Sequence, residues 1–266
     1  MKKNMLGVIG CGNMGGAIVR GLILKGIILP ETILLNDKEP EKSAKLSKET
    51  GCGTMDLAGI IAVSDKIVLA VKPQDSNALF EIIGSGLIDQ TVISIMAGVK
   101  IKTIKKKVGK DVSVVRAMPN LGALIYESMT GIAFGDKEHD REGVKKIFSG
   151  IGDVVEVDEA SMDAVTAVSG SGPAYFFYLA RSMIRAALDM GLDKDIAERL
   201  VRKTLFGASK FLVENPDDTD ELIKKVASKG GTTEAALDVF DAKNLEKVIV
   251  NAIVRAKERS RELSEE

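Results

Sequence analysis

The stretch Leu6-Gly7-Val8-Ile9-Gly10-Cys11-Gly12-Asn13-Met14-Gly15 decides the fold of this 266-residue chain. Its apolar start predicts a buried strand, and the glycines that follow predict a tight turn into a helix over about 14–25. In such a turn Gly10 permits the sharp change of direction, Gly12 lets the backbone approach a pyrophosphate, and Gly15 allows close packing of helix on strand. Glycine-rich turns are common, but this position between strand and helix predicts a dinucleotide site.

The first part of the chain alternates short β-branched runs with helical patterns. We expect strands at 6–9, 32–35, 66–71, 91–95, 112–115, 131–134 and 154–157. These runs are apolar on both faces, as strands buried between helix layers must be, and the intervening stretches are long enough for crossover helices. The sequence therefore predicts an α/β domain over residues 1–158, with a doubly wound, mostly parallel sheet of the Rossmann type.

Strand patterns disappear after Glu159, which predicts an all-α domain over residues 159–266. We expect helices over about 160–168, 173–190, 194–213, 219–227, 232–239 and 243–263. The helix that follows Pro173 is apolar nearly all round, so it must be covered on every side. A second copy of the chain would cover it well. The sequence therefore predicts a homodimer through this domain, and such dimers could assemble further into a ring.

The overall charge points to a small-molecule partner. Lys plus Arg count 37 against 38 for Asp plus Glu, so the chain lacks the electrostatic footprint of a nucleic-acid or membrane-surface protein. The longest apolar stretch, 174–188, is interrupted by Arg181 and Arg185 and is too short to span a membrane. With only two cysteines and no signal-peptide pattern at the start, we expect a cytoplasmic location.

Residues after the second predicted strand bear on the choice of cofactor. Asp37 stands where an acid that contacts the adenosine ribose belongs, which favours NAD. Its neighbours Asn36 and Lys38 could instead meet the 2′-phosphate of NADP, so both cofactors stay open. Cys11, inside the glycine turn, is either a redox switch or a small residue that fills the turn. We expect the second role, because no other cysteine is near in sequence.

The sequence offers few groups for acid–base or metal chemistry. Its only histidine, His139, lies in a charged stretch, which argues against a metal site and against a serine–histidine triad. A dinucleotide enzyme without a histidine acid suits a substrate that carries its own proton, such as an iminium. Two glycine–hydroxyl clusters precede helices and are either anion sites or simple helix caps: Ser169-Gly170-Ser171-Gly172-Pro173 and Gly230-Gly231-Thr232-Thr233-Glu234.

Several motifs resemble one enzyme family. The run Asp163-Ala164-Val165-Thr166-Ala167-Val168-Ser169-Gly170-Ser171-Gly172-Pro173-Ala174-Tyr175, followed by Gly230-Gly231-Thr232-Thr233, closely resembles pyrroline-5-carboxylate reductases. Ala70-Val71-Lys72-Pro73-Gln74 and Arg116-Ala117-Met118-Pro119-Asn120 match that family in order and spacing. The resemblance covers essentially the whole chain. It implies the last step of proline biosynthesis, in which NADPH, or alternatively NADH, passes hydride to the C=N carbon of 1-pyrroline-5-carboxylate to give L-proline.

The resemblance also implies roles for individual residues. Thr232 and Thr233 would hold the substrate carboxylate, and Thr233 would also hydrogen-bond the ring nitrogen, which makes it the candidate catalytic residue. Glu159 would be a further substrate contact. The implied cofactor contacts are Gly10, Cys11, Gly12, Asn13, Met14, Gly15, Asn36, Asp37, Ala70, Val71, Lys72, Pro73, Ala97 and Gly98.

The chain departs from the family pattern at three places. Leu121-Gly122 replaces a threonine–proline pair, Lys229 replaces a proline, and Asp56-Leu57 stands for an acid–asparagine pair. We expect Gly122 to loosen a loop that proline would stiffen, and Lys229 to add a cation where a carboxylate docks. These departures leave two alternatives open: a related NAD(P)H-dependent reductase of another cyclic imine or small hydroxy acid, and a non-catalytic dinucleotide-binding paralogue.

Overall fold

A single eight-stranded sheet organises the first part of the chain, in a computed structural model that describes residues 5–109, 112–135 and 140–263. The strands are β1 Leu6–Ile9, β2 Ile33–Asn36, β3 Gly53–Thr54, β4 Lys66–Leu69, β5 Thr91–Ser94, β6 Ser113–Met118, β7 Ser128–Phe134 and β8 Gly152–Glu156. They lie in the order 3-2-1-4-5-6-7-8, and only the β6–β7 pair is antiparallel. The first six follow the order of dinucleotide-binding doubly wound sheets, which confirms the predicted fold class.

Helices cover both faces of this sheet. They are α1 Asn13–Leu24, α2 Pro40–Thr50, α3 Leu57–Val63, α4 Ser76–Ile83, α5 Ile101–Val108 and α6 Arg141–Ser149. Neighbouring strand residues point to opposite faces, so Val8 packs with apolar residues of α1, α2 and α6, and Ile9 packs with those of α3, α4 and α5. Each fully buried aliphatic side chain contributes roughly 1.5–3 kcal/mol to folding. The apolar strands thereby fix both helix layers.

The remainder of the chain is helical, as predicted. Its helices are α7 Met162–Val165, α8 Gly172–Asp189, α9 Lys194–Glu214, α10 Thr219–Val226, α11 Thr232–Ala242 and α12 Leu245–Leu263. A π-helical turn, Thr166–Gly170, follows α7, where the Ser171 N–H donates to the Thr166 carbonyl five residues earlier. In the described ranges, no helix has the length and apolarity needed to cross a membrane.

The chain divides into two compact units. The sheet unit comprises residues up to Gly172 together with those from Ala256 onward, and the helical unit is Pro173–Arg255. The segment 159–172 and the last turns of α12 therefore lie with the sheet, whereas the sequence places a domain boundary at 158/159. Within the sheet unit the Ser260 hydroxyl donates to the Asp163 carboxylate at 2.8 Å, and Leu263 covers Gly98.

Some elements differ from the predicted bounds. The strand β3 was not predicted, because it has only two residues, both exposed. The predicted strand 66–71 ends at Leu69, and the strand predicted at 112–115 runs from Ser113 to Met118. The helix predicted over 160–168 is the short α7 followed by the π-helical turn. These differences lie at element ends and in short elements, where tertiary pairing outweighs local pattern.

Candidate active site

The glycine turn connects β1 to α1 at the carboxyl edge of the sheet. Gly10 has φ +103, and a Cβ there would lie 2.5 Å from the carbonyl oxygen of Ala70, so only glycine fits. A Cβ on Gly15 would overlap the Gly10 carbonyl oxygen. At Gly12, by contrast, a Cβ would meet nothing within 4 Å. Packing therefore requires the first and third glycines, whereas the absence of a side chain at Gly12 leaves open space for a ligand.

The start of α1 is suited to bind phosphate. Gly12 is the N-cap, no side chain caps the helix, and no acidic residue occupies its first turn. The first N–H groups of a helix have no partner within it, and the helix dipole favours negative charge at this end. A phosphate group that approaches Gly12 would meet these donors.

A cleft of about 330 Å³ opens beside this turn. It lies at the carboxyl ends of β1 and β4, where the strand order reverses and where doubly wound sheets bind ligands. The predicted cofactor residues that line it are Gly10, Gly12, Asn36, Asp37, Ala70, Val71 and Lys72. Other lining residues come from the end of β1, the loop after β2, the first turn of α2, the start of α3, and the residue before α4 and one face of α4: Ile9, Lys38, Glu39, Lys42, Leu57, Asp75, Ala78, Leu79 and Ile82.

The apolar wall of this cleft was not predicted from the sequence. Ala78, Leu79 and Ile82 recur at positions i, i+1 and i+4, the spacing of one face of a helix, and this was the available signal. Leu57, the first residue of α3, stands where the family usually has asparagine and adds an apolar side chain to the wall. Asp56 before it caps α3 by accepting from the Gly59 N–H at 2.8 Å.

Asp37 links the glycine turn to the loop after β2. Its Oδ2 accepts from the Cys11 N–H at 2.6 Å, and its Oδ1 accepts from the Glu39 N–H at 2.9 Å. Asn36 is used differently, since its amide donates to the Met55 carbonyl at 2.8 Å. A carboxylate oxygen can accept two hydrogen bonds, so Asp37 still offers lone pairs to a ribose hydroxyl.

The Cys11 thiol is half-buried within this network. Burial, and next the nearby Asp37 carboxylate, raise the pKa of Cys11 to about 12. Its Sγ donates to the Asn36 carbonyl at 3.5 Å. Because the thiolate is the reactive form, Cys11 is inert near neutral pH. This supports the role of a small residue that fills the turn.

Five further predicted cofactor residues lie outside the cleft lining, beside the ends of β1, β4 and β5. Asn13 and Met14 begin α1, and Pro73 begins a 3₁₀ turn after β4. Gly98 is buried with φ +75, and a Cβ on it would lie 3.2 Å from Leu263 of α12. The cleft lining does not include Gly98 or its neighbour Ala97, and their cofactor role stays a prediction.

Glu159 forms an ion pair with the buried side chain of Arg116 in the sheet unit. Its Oε1 accepts from the backbone N–H of Ile101 at 2.6 Å and from Nη1 of Arg116 at 3.1 Å. The Arg116 side chain is only 3% exposed, and its Nη2 has no hydrogen-bond partner among the described residues. Glu159 therefore neutralises a buried cation and joins β6, the start of α5 and the segment after β8.

Asn120 organises the loop after β6. Its amide donates to the Ser169 hydroxyl at 3.1 Å, and its Oδ1 accepts from the Gly122 N–H at 2.9 Å. A Cβ on Gly122 would overlap the carbonyl oxygen of Glu127. The Gly122 N–H, which a proline would lack, closes the turn here, and a looser loop stays a prediction. The loop ties Asn120 to the serine–glycine run at the π-helical turn.

The second glycine–hydroxyl cluster begins α11 in the helical unit. Gly231 is the N-cap without a side-chain hydrogen bond, and Thr232 and Thr233 form the first turn. The Glu234 carboxylate, in the first turn, accepts from the N–H of Gly230, the residue before the N-cap. The early N–H groups of the helix lack intrahelical partners and lie beside two threonine hydroxyls, and an anion site there stays a prediction.

The described ranges contain no cluster of three His, Cys, Asp or Glu side chains suited to a metal ion. His139 lies outside the described residues.

Known proteins resemble the whole chain. A family model for the pyrroline-5-carboxylate reductase dimerisation region matches residues 159–263, and one for coenzyme F420-dependent NADP oxidoreductases matches residues 5–98. Pyrroline-5-carboxylate reductase 2 of Bacillus subtilis is 35% identical over 100% of this chain and 96% of its own length.

Two solved structures agree with this similarity. A pyrroline-5-carboxylate reductase from Coxiella burnetii superposes with a TM-score of 0.88 at 33% identity, covering 99% of both chains. The pyrroline carboxylate reductase of Plasmodium falciparum, solved with NADP bound, gives a TM-score of 0.86 at 27% identity, again over 99% of both chains. The chain therefore belongs to the pyrroline-5-carboxylate reductase family.

Proposed function

We propose that this protein reduces the C=N bond of 1-pyrroline-5-carboxylate to give L-proline, the last step of proline biosynthesis. NADPH is the proposed hydride donor, and NADH is the alternative donor. The observation that carries this proposal is the extent of the similarity. The relation to the Bacillus subtilis enzyme includes the helical unit and is not confined to a dinucleotide fold that many oxidoreductases share.

The sheet unit supplies what a nicotinamide dinucleotide needs. The bound dinucleotide supplies the hydride, and the protein supplies binding and orientation. The open space at Gly12 and the uncapped N–H groups of α1 fit the pyrophosphate, and Asp37 lies at the ribose end of the cleft. The apolar wall from α3 and α4 fits an aromatic ring of the dinucleotide. We propose that Val71 and Lys72 also contact the cofactor where they line the cleft.

The start of α11 is the proposed substrate site. We propose that N–H groups and hydroxyls of Thr232 and Thr233 bind the carboxylate and that the Thr233 hydroxyl hydrogen-bonds the ring nitrogen, which gains a proton during reduction. Holding the imine carbon in line with a hydride donor contributes more than proton transfer in such a reaction. Lys229, two residues before the N-cap, adds a positive charge close to this site in sequence.

Glu159 has a more restricted role in this proposal than the resemblance implies. Its Oε1 already holds Ile101 and Arg116, so a substrate contact would fall to Oε2.

Initial rates on pyrroline-5-carboxylate, with NADPH and NADH side by side, test the function. We expect loss of nicotinamide absorbance that depends on both substrate and enzyme. A parallel panel of other cyclic imines and small hydroxy acids separates the related-reductase alternative. Absence of turnover with either cofactor would contradict the proposal, and tight cofactor binding without turnover of any substrate would indicate a non-catalytic paralogue.

We further propose that the protein is a cytoplasmic homodimer, assembled through residues 159–263, which match the dimerisation family model, and that dimers can associate into a ring. Both cysteines are free thiols, which suits a reducing compartment. The family match begins at residue 159 and supports a functional boundary at 158/159.

A further inference from the structure

Two ion pairs lie at the ribose end of the dinucleotide cleft. Lys38, after β2, has its Nζ 2.9 and 3.0 Å from the two carboxylate oxygens of Asp75. Lys42 has its Nζ 2.6 Å from Oε1 of Glu39. The first pair joins the segments that follow β2 and β4, and both of its residues line the cleft. The second pair stays within one turn of chain.

Asp75 lies where a 3₁₀ turn, Pro73–Asp75, runs into α4. Its backbone is helical, with φ −88 and ψ −6, and its side chain makes no capping hydrogen bond. The carboxylate instead reaches Lys38, which is 37 positions away in sequence. The side chain of Asp75 therefore serves the contact with Lys38 and not its own helix.

The two lysines at this end of the cleft are both paired. Lys38 and Lys42 each hold a carboxylate, and Asp37 adds a negative charge beside them. The 2′-phosphate that distinguishes NADPH from NADH brings up to about two further negative charges. It would therefore meet two lysines that already hold carboxylates, unless Lys38 leaves Asp75. NADH lacks this phosphate and makes no such demand.

We propose that Asp75 is a specificity-determining residue, which sets the preference between NADPH and NADH by competing with the 2′-phosphate for Lys38. The inference rests on the proposed use of these cofactors. The Lys38 side chain is 67% exposed and that of Asp75 36% exposed, so the pair is weak enough to exchange. Asp75 thereby lowers the affinity for the phosphorylated cofactor and leaves that for the other unchanged.

Calorimetric titrations with NADP⁺ and NAD⁺ test this inference without any turnover. Asp75→Asn removes the charge and keeps the size and shape of the side chain. We expect it to tighten NADP⁺ about fivefold, the size of effect that an exposed ion pair supports, and to leave NAD⁺ unchanged. Lys38→Met should weaken NADP⁺ selectively. In the double variant the effect of Asp75→Asn should vanish, because Asp75 acts through Lys38.

Glu49→Gln is the matched control, because it breaks the Arg20–Glu49 pair between α1 and α2 outside the cleft. It should change neither affinity. Equal changes for both cofactors in Asp75→Asn, or an effect that persists with Lys38→Met, would overturn the inference. A wild-type protein that binds neither cofactor would instead contradict the proposed function, so the two failures are distinguishable.

Discussion

Gly12 and Gly15 lie three residues apart, yet the structure constrains them differently. Gly12 has φ −70 and open space where a Cβ would stand, so alanine fits the fold there. We expect Gly12→Ala to keep the wild-type melting temperature and to lose dinucleotide affinity at least about tenfold, because a methyl group blocks the close approach of the pyrophosphate. Thermal unfolding and calorimetric titration measure the two effects on the same preparation.

Two other glycine substitutions control this experiment. Gly15→Ala places a methyl group against the Gly10 carbonyl, so it should destabilise the protein by more than about 1 kcal/mol. Gly207→Ala, within α9 and also without a clash, should leave dinucleotide affinity unchanged and stabilise the helix by up to about 1 kcal/mol, the opposite sign to Gly15→Ala. Unimpaired cofactor binding in Gly12→Ala would show that the pyrophosphate does not approach this glycine.

The raised pKa of the Cys11 thiol should slow its reaction with thiol reagents. Because its pKa is raised to about 12, the protonated form persists where an ordinary thiol, with a pKa of about 8.5, has ionised. The stability that this contributes is present below about pH 8.5 and is lost as the pH rises towards 12. We expect Cys11 to react with a thiol reagent at pH 8 at least about tenfold more slowly in the folded protein than in urea.

Peptide mapping assigns the reacted thiol, since burial also raises the pKa of Cys52. Rapid modification of Cys11 in the folded protein would mean that the turn is more open than the structure shows, and the redox-switch alternative would then return.

Glu159 connects three parts of the sheet unit through its contacts with Arg116 and Ile101. Glu159→Ala leaves a buried guanidinium unpaired, and we expect it to lower the free energy of unfolding by about 3 kcal/mol. Glu159→Gln keeps an oxygen for the Ile101 N–H and should cost less. Urea denaturation measures both. Glu156→Gln, which disrupts partly exposed pairs with Arg141 and Lys145, should cost below about 1 kcal/mol.

The same variants separate structural support from substrate contact. If Glu159→Gln retains most of the stability and yet raises the KM for pyrroline-5-carboxylate, then the carboxylate also contacts substrate. If both variants alter stability alone, then the role implied by the family resemblance is contradicted.

Thr233, in the first turn of α11, is the candidate catalytic residue. Thr233→Ala should lower kcat about tenfold or more and leave the dinucleotide Kd unchanged, because the hydroxyl acts on the substrate. Thr219→Ala is the matched control, since Thr219 also stands in the first turn of a short helix, α10. It should leave the kinetics unchanged. A loss confined to dinucleotide affinity would show that the substrate site lies elsewhere.

Local pattern accounts for the elements that the sequence predicted well. The strand β1 and the helix α1 match within one residue, because the glycine spacing and the apolar run specify both. The strand β3 has no such pattern, since Gly53 and Thr54 become a strand only by pairing with Leu34 and Leu35. The antiparallel direction of β7 follows from its connection to β6, residues 119–127, which is too short for a parallel crossover.

The site residues likewise divide into those that local spacing predicts and those that depend on contacts between distant segments. The glycine turn and Asp37 were predicted from spacing within about 30 residues. The contacts that join distant segments were not, as with the Arg116–Glu159 pair and the Asn120–Ser169 hydrogen bond. Such pairs depend on the positions of several strands and loops, which a single sequence does not reveal.

The helical unit of the single chain exposes much of its apolar surface. Phe176, Phe177 and Tyr178 of α8 are 56%, 58% and 64% exposed in the single chain. Exposed aromatic clusters of this kind mark protein–protein interfaces, where each ring can bury about 150–250 Å². A second copy of the chain is the proposed partner, because the dimerisation family model includes α8.

Phe177→Asp tests this assembly. We expect the wild type to sediment as a dimer and its melting temperature to rise with protein concentration, because association stabilises the folded chain. The variant should shift to the monomer mass, since the interface would have to bury a charge. Ile88→Asp, at a residue 76% exposed in the sheet unit, is the control and should keep the wild-type mass. A wild type that stays monomeric at every concentration, with the same exposed aromatic side chains, would contradict the dimer and leave that surface free for a different partner.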